Sequence, residues 1–329
     1  MYGLSRVVGE TGVLPQRAKK LDPSLPLREG EVLIDVESLN IDAASFKQIK
    51  DSVGGDASKI AAAVQDIVRE RGKMQNPVTG SGGMLIGRVR EVAPGHPGGL
   101  KAGDRIATLV SLTLTPLQID EVRAVKPEID RVDIRGHAIL FASGIFAKLP
   151  GDLPDALALA ALDVAGAPAL TARFAKPGMT VMLIGAGKSG ALCLAQARRS
   201  GAAKLVALDI SQKALDALSG IGLCDLAVAA DATKAVEVMQ KVPPADLVIN
   251  CASVANTEMA SILSVRQGGT VIFFSMATSF TAAALGAEGV GKDVTMIVGN
   301  GYAPGHADLT LDLLRSEPKL RALFEQRYV

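Results

Sequence analysis

The chain has 329 residues, 48% of them apolar and 21% charged, with a net charge of +1. That length suffices for two domains with real cores, and the balanced charge gives no general reason to bind nucleic acid or an acidic membrane. Aromatics at 3% argue against base-stacking platforms, and three widely spaced cysteines read as reduced core residues of a cytoplasmic protein.

The N-terminus, Met1 to Arg6, lacks the apolar core of a signal peptide. Residues 1–50 read as β-rich, with Glu31 to Asn40 alternating acid and apolar residues as a half-exposed strand does. The chain then turns through Asn40 to Ser45. From Asp56 to Arg71, Ile60, Ala63, Val64, Ile67 and Val68 keep helical spacing and predict an amphipathic helix. A glycine-rich stretch, Asn76 to Gly83, suggests close approach of backbone to a neighbour. Strands are expected at Arg88–Val92, Asp104–Val110 and His137–Ala142. The most apolar long segment, Ala156 to Leu170, is interrupted by Asp163 and Pro168 and is too short to span a bilayer.

From about residue 153 short buried strands alternate with helices, at 181–184, 205–208, 226–229, 247–250, 270–274 and 294–298. Six such units predict a doubly wound parallel sheet, so the fold class is α/β. The tail, Ala307 to Tyr328, reads as helix broken at Pro318. The expected division is a β-rich domain over 1–152, joined by 299–329, and a dinucleotide-binding Rossmann domain over 153–298.

The first of these strands runs into Gly185, Gly187 and Gly190, a G-x-G-x-x-G between strand and helix. Gly185 permits the tight turn, Gly187 lets backbone approach a pyrophosphate, and Gly190 lets helix and strand pack closely. The helix N-terminus offers free N–H groups to the phosphates, and Lys188 and Ser189 lie in the same loop. A P-loop reading of Gly-Lys-Ser fails because it needs glycine where Met182 stands. The next strand ends at Asp209, where a carboxylate accepts hydrogen bonds from the ribose hydroxyls of NAD and repels a 2′-phosphate. NAD is therefore expected over NADP. Cys251 and Ser275, each just past a sheet strand, and Asn300, after the last, complete the expected cofactor contacts.

Val32 to Asn40, Gly82 to Val89, Lys101 to Ile106, Thr171-Ala172 and Lys176-Pro177-Gly178 carry a resemblance to the medium-chain dehydrogenase/reductase superfamily along nearly the whole chain. It implies a GroES-like N-terminal domain and a homodimer. The superfamily's zinc ligands match Asn40, Gly83 and Ala167 here, and the four-cysteine zinc lobe is missing, so no zinc is expected. Residues 72–87, 107–112 and 274–293 are similar to the L-erythro-3,5-diaminohexanoate dehydrogenases within it. That likeness implies NAD(P)-dependent oxidative deamination at C3 of a diamino acid, in lysine fermentation. Two other readings stay open: a zinc-free quinone or enoyl reductase, and a nucleotide-binding sensor without activity.

Such a deamination without metal needs a side-chain base to take the ammonium proton and later activate water. Asp42, just after the first-domain strand, is the first candidate; its alternative is a turn-forming aspartate bonded to nearby N–H groups. Asp163 is the second, against a helix-surface or capping role. For the substrate's amines and carboxylate, hydroxyls are expected from Ser45, Thr79, Ser81, Ser111 and Thr113. Thr278 and Ser279 follow a strand of the nucleotide sheet, where ligands sit beyond the carboxyl ends.

Overall fold

The computed structural model describes residues 2–275 and 277–329. The chain divides into two compact units, Met1–Pro150 and Gly151–Val329.

The first unit is built on an antiparallel sheet of β1 (Val32–Asn40), β2 (Met84–Val92), β3 (Arg105–Thr108), β4 (Leu117–Lys126), β5 (Arg131–Leu140) and β6 (Phe146–Lys148), in the order β4-β5-β1-β2-β3-β6. Two helices, α1 (Ala43–Ser52) and α2 (Ala57–Arg71), follow β1. The expected helix from Asp56 is α2: Asp56 accepts hydrogen bonds from Ser58 N and Lys59 N as its cap, and Ile60, Val64 and Val68 are its buried stripe. Gly72 ends it at φ 61°, where a Cβ would strike Leu21 O. These apolar faces join Ile34, Leu39, Phe46, Leu85, Ile106 and Ile134 in one core.

Two parts of this unit differ from the sequence expectation. The segment read as a turn at 40–45 continues into α1, because Asp42 is its N-cap and Phe46 and Ile49 bury one face. The β4–β5 hairpin was not anticipated, since β4 is an edge strand whose Gln118, Asp120, Glu121 and Arg123 disguise its alternation.

Lys73 follows α2 and is fully buried; its Nζ donates to Pro15 O at 2.8 Å and to Gln16 O at 3.3 Å. Burial, helped by the charge of Arg71 and opposed by Glu10, lowers its pKa to about 8. Between pH 8 and the ordinary lysine range the unfolded chain binds the extra proton, so this group adds stability as pH rises. The stability of the wild type relative to Lys73→Met should therefore increase from pH 8 to pH 10. Denaturant melts of both proteins across that range measure it, and a flat difference would contradict the shift.

The second unit is a parallel six-stranded sheet of β7 (Thr180–Ile184), β8 (Lys204–Asp209), β9 (Leu226–Ala229), β10 (Ala245–Asn250), β11 (Val265–Phe273) and β12 (Thr295–Val298). Its order, β12-β11-β10-β7-β8-β9, is the doubly wound arrangement with the crossover between β7 and β10. All six predicted strands are present. The helices are α3 (Asp155–Leu162), α4 (Gly166–Phe174), α5 (Lys188–Arg199), α6 (Gln212–Gly220), α7 (Ala235–Lys241), α8 (Glu258–Ser264), α9 (Phe280–Gly289), α10 (His306–Ser316) and α11 (Pro318–Tyr328). The apolar segment before the sheet is α3 and α4, which bend by 53°; no single described helix is long and apolar enough to cross a membrane.

The tail helices α10 and α11 lie in the compact unit Gly151–Val329. Thr310 Oγ1 donates to Ala165 O, Arg315 pairs with Asp152 at 2.8 Å, and Leu311, Leu314, Leu323 and Phe324 are buried.

Candidate functional site

In the second unit the three motif glycines have different surroundings. Gly185 takes φ 98°, and a Cβ there would lie 2.8 Å from Ala252 N and 2.9 Å from Cys251 C. At Gly190 a Cβ would lie 2.2 Å from Gly185 O, so only glycine lets α5 pack on the loop. Around Gly187 nothing stands within 4 Å of that position, which leaves open space above the first turn of α5. Backbone N–H groups face a ligand best at such a turn.

Asp209 closes this loop from β8. Its Oδ2 accepts from Ala186 N at 2.7 Å and its Oδ1 from Ser211 N at 2.7 Å. A carboxylate has about four acceptor positions, so both oxygens can still receive a hydroxyl. Cys251 directly follows β10, its N–H donating to Ile184 O at 2.8 Å. Its thiol shares a hydrogen bond with Cys193 on α5; that bond and burial hold its pKa well above the usual thiol range. Ser189 sits half-buried in the first turn of α5. Asn300 is exposed, and its backbone packs where Gly166 opens α4.

Asp163, the second candidate base, has a partner. It ends α3 at the surface, with its Oδ2 paired to Lys188 Nζ at 2.7 Å. The carboxylate is bonded and exposed, as in the helix-surface role weighed against catalysis. The same pair brings Lys188 into the glycine loop with a partner.

The loop after β11 separates its hydroxyls by role. Ser279 caps α9, its Oγ accepting from Ala282 N, while its own N–H donates to the buried Glu258 at 2.6 Å. Ser275 Oγ accepts from Ala277 N. Thr278 Oγ1 is buried and has no hydrogen-bond partner among the described residues. Glu258 was not foreseen, since an acid opening a helix reads as an ordinary dipole partner.

In the first unit three segments meet at the end of β1. Gly83, at φ 104°, lies where a Cβ would be 2.1 Å from Asn40 O and 2.8 Å from Asp42 N. Gly82 presses likewise on Met74 O and Thr113 N. Leu112 N donates to Gly83 O at 2.9 Å. The expected residues Asp42, Ser45, Thr79, Ser81, Ser111 and Thr113 all belong to these segments.

Asp42 Oδ1 accepts from Ser45 N at 3.0 Å, the capping bond. Its Oδ2 is buried and accepts nothing among the described residues. The turn-forming alternative thus accounts for one oxygen only. Ser45 Oγ and Thr79 Oγ1 are 2.5 Å apart, and Thr79 Oγ1 also accepts from Ser81 N at 3.3 Å. Ser111 Oγ accepts from the N–H and the hydroxyl of Thr113, so those two groups bond to each other.

Two residues here escaped the sequence reading. Asn76 is fully buried: its Oδ1 accepts from Val78 N and Thr79 N, and its Nδ2 donates to Ser45 O and Gln48 Oε1. It fastens the glycine-rich loop to α1. Asp130, at φ 52°, accepts from Ile41 N through its carbonyl. Burial raises its pKa, Asp42 adds to the rise, and Lys50 opposes it. No cluster of three or more His, Cys, Asp or Glu suited to a metal occurs among the described residues.

Comparison with known proteins follows the same division. The alcohol dehydrogenase TADH from Thermus sp. ATN1 has a TM-score of 0.53 at 21% identity, covering 90% of this chain and 86% of that one. A Pseudomonas syringae quinone oxidoreductase has a TM-score of 0.53 at 17% identity, covering 93% and 91%. These likenesses show the medium-chain dehydrogenase fold. Residues 5–150 match the model of the L-erythro-3,5-diaminohexanoate dehydrogenase N-terminal domain. The L-erythro-3,5-diaminohexanoate dehydrogenase of Acetoanaerobium sticklandii is 54% identical over all of this chain and 98% of its own length. That of Fusobacterium nucleatum is 53% identical over the same shares. With both relatives matched end to end, the chain belongs to the L-erythro-3,5-diaminohexanoate dehydrogenase family.

Proposed function

We propose that the chain oxidises L-erythro-3,5-diaminohexanoate at C3 with NAD, releasing ammonium and 5-amino-3-oxohexanoate. The observation that carries the chemistry is Asp42, a carboxylate with one oxygen in a helix cap and the other buried without a donor among the described residues. The balance is one protonated amine, NAD+ and one water in, with ketone, ammonium, NADH and one proton out.

Asp42 takes a proton from the C3 ammonium, leaving a neutral amine whose C–H bond can release hydride. A nicotinamide cofactor held by the glycine loop would supply the hydride acceptor. Asp42 gives that proton to solvent and, again a carboxylate, takes a proton from water as the water oxygen attacks the iminium carbon. It passes this proton to the carbinolamine nitrogen and takes the hydroxyl proton as the C–N bond breaks, so ketone and ammonium leave. Thr79 and Ser45 supply hydroxyls to the substrate, and Asn76 holds their loop on α1. Gly185, Gly187, Gly190 and the first turn of α5 would hold the pyrophosphate, with Lys188 and Ser189 at its side and Asp209 on the ribose. No side-chain cluster suits a metal among the described residues, and this reading gives a metal no step.

The test is the initial rate of NADH formation from the diamino acid, with NADP+ in parallel and a chelator control. Rapid NADH formation that chelator leaves untouched is expected. Asp209→Asn keeps acceptors for Ala186 and loses the charge, so kcat/KM for NAD should fall ~10- to 100-fold and discrimination against NADP should shrink. An unchanged preference would remove Asp209 from cofactor selection.

The proposed assembly is a homodimer through the β12 edge, where Met296 and Val298 are 37% and 61% exposed. Light scattering should give the mass of two chains, and Val298→Lys should give one.

A further inference from the structure

Asn40 is the last residue of β1, and its side-chain Oδ1 is buried without a hydrogen-bond partner among the described residues. Two residues later Asp42 Oδ2 is buried in the same condition. Buried acceptors are nearly always satisfied, so two in three consecutive residues require a donor that the described protein groups do not supply. The bonded chemistry nearby is already complete. Asp42 Oδ1 is occupied by Ser45 N, Ile41 N by Asp130 O, and the Asn76 amide by its four partners. Gly83 draws its backbone so close to Asn40 O and Asp42 N that a Cβ there has no room.

The two open groups are both acceptors, one neutral and one anionic. A hydroxyl offers one donor and no charge, whereas a protonated amine offers three donors and the opposite charge. A divalent cation would need more oxygen ligands than these two supply.

We propose that Asn40 Oδ1 and Asp42 Oδ2 together seat the reacting nitrogen, as the C3 ammonium of the diamino acid or as free ammonium in the reverse reaction. This rests on the deamination reading above and adds Asn40 as the residue that selects an amine. Asn40 binds and Asp42 both binds and exchanges the proton.

The experiment is the reverse reaction, reductive amination of 5-amino-3-oxohexanoate with NADH, with ammonium varied. Asn40→Leu keeps the side-chain volume and deletes the acceptor, and Asn40→Ala serves as the second variant where the branched side chain disturbs folding. In either, the apparent KM for ammonium should rise at least tenfold, while the dissociation constant of NADH from fluorescence titration stays within twofold. Asn40→Asp, which restores an acceptor, should bring the ammonium KM back to within about threefold of wild type. An ammonium KM unchanged in folded, NADH-binding Asn40→Leu or Asn40→Ala would overturn the proposal and leave the two oxygens to water. A wild type that does not turn over the diamino acid would instead overturn the deamination reading, so the two failures are distinct.

Discussion

Asp42→Asn should lower kcat by ~10²- to 10⁴-fold, the usual worth of a general base, with the fold and cofactor affinity intact. The substitution is clean because of how the two oxygens are divided. Asn is as good an N-cap as Asp, so its Oδ1 keeps the bond from Ser45 N and α1 keeps its start. What disappears is the charge and basicity of the buried Oδ2, which has no other partner among the described residues. Asp42→Ala would remove the cap as well and cost about 1 kcal/mol of stability, which confuses the two roles. The measurement is kcat for NADH formation beside a thermal melt and an NADH titration. A kcat near wild type in a folded, NADH-binding variant would exclude Asp42 as the base. The charge also acts on Asp130, whose raised pKa should relax downward once Asp42 is neutral.

The nucleotide-binding unit was legible because its strands are buried on both faces. Val181 to Ile184 and Leu205 to Leu208 are continuous apolar runs, fully buried in the structure, and the glycines follow at positions only glycine tolerates. The first unit hides its logic better. In β4 most residues are only partly buried, so charge and apolar character mix as they do in loops. The helix α1 was masked by its own cap, since an aspartate after a strand signals a turn as readily as a helix start. That miss propagated. Asn76 matters because it holds α1, so without the helix it reads as one more polar residue among glycines and serines. Similarly, the pairing of Asp163 with Lys188 was not legible, because nothing in the sequence joins residues 25 positions apart. Asp42 remained legible as a chemical candidate, but that only one of its oxygens is spent emerges from atomic burial.

The largest loss of stability should come from Arg6→Met, about 3–5 kcal/mol, seen as a fall in melting temperature of roughly 10 °C. Arg6 is 1% exposed and Glu31 4% exposed. The guanidinium meets the carboxylate through two bonds, Nε to Oε1 at 2.9 Å and Nη2 to Oε2 at 2.6 Å. Its remaining donors go to the carbonyls of Asp22, Ser24 and Pro26, and Glu31 Oε2 also accepts from Arg28 N. Removing the arginine leaves a buried carboxylate with only Arg28 N among the described donors and takes the guanidinium from three carbonyls, which is why the expected loss exceeds that of a surface pair. Glu31→Leu should be nearly as damaging, since the guanidinium then keeps only the partly exposed Asp22, at 3.6 Å, as counter-charge. The double variant Arg6→Met, Glu31→Leu should be more stable than either single one, because buried pairs stabilise little against apolar replacements of similar size. Denaturant melts of the four proteins complete the cycle. Single variants within 1 kcal/mol of wild type would mean that the carbonyls from 22 to 26 hold Arg6 without Glu31, and that the first 31 residues do not depend on the ion pair for their place on the sheet.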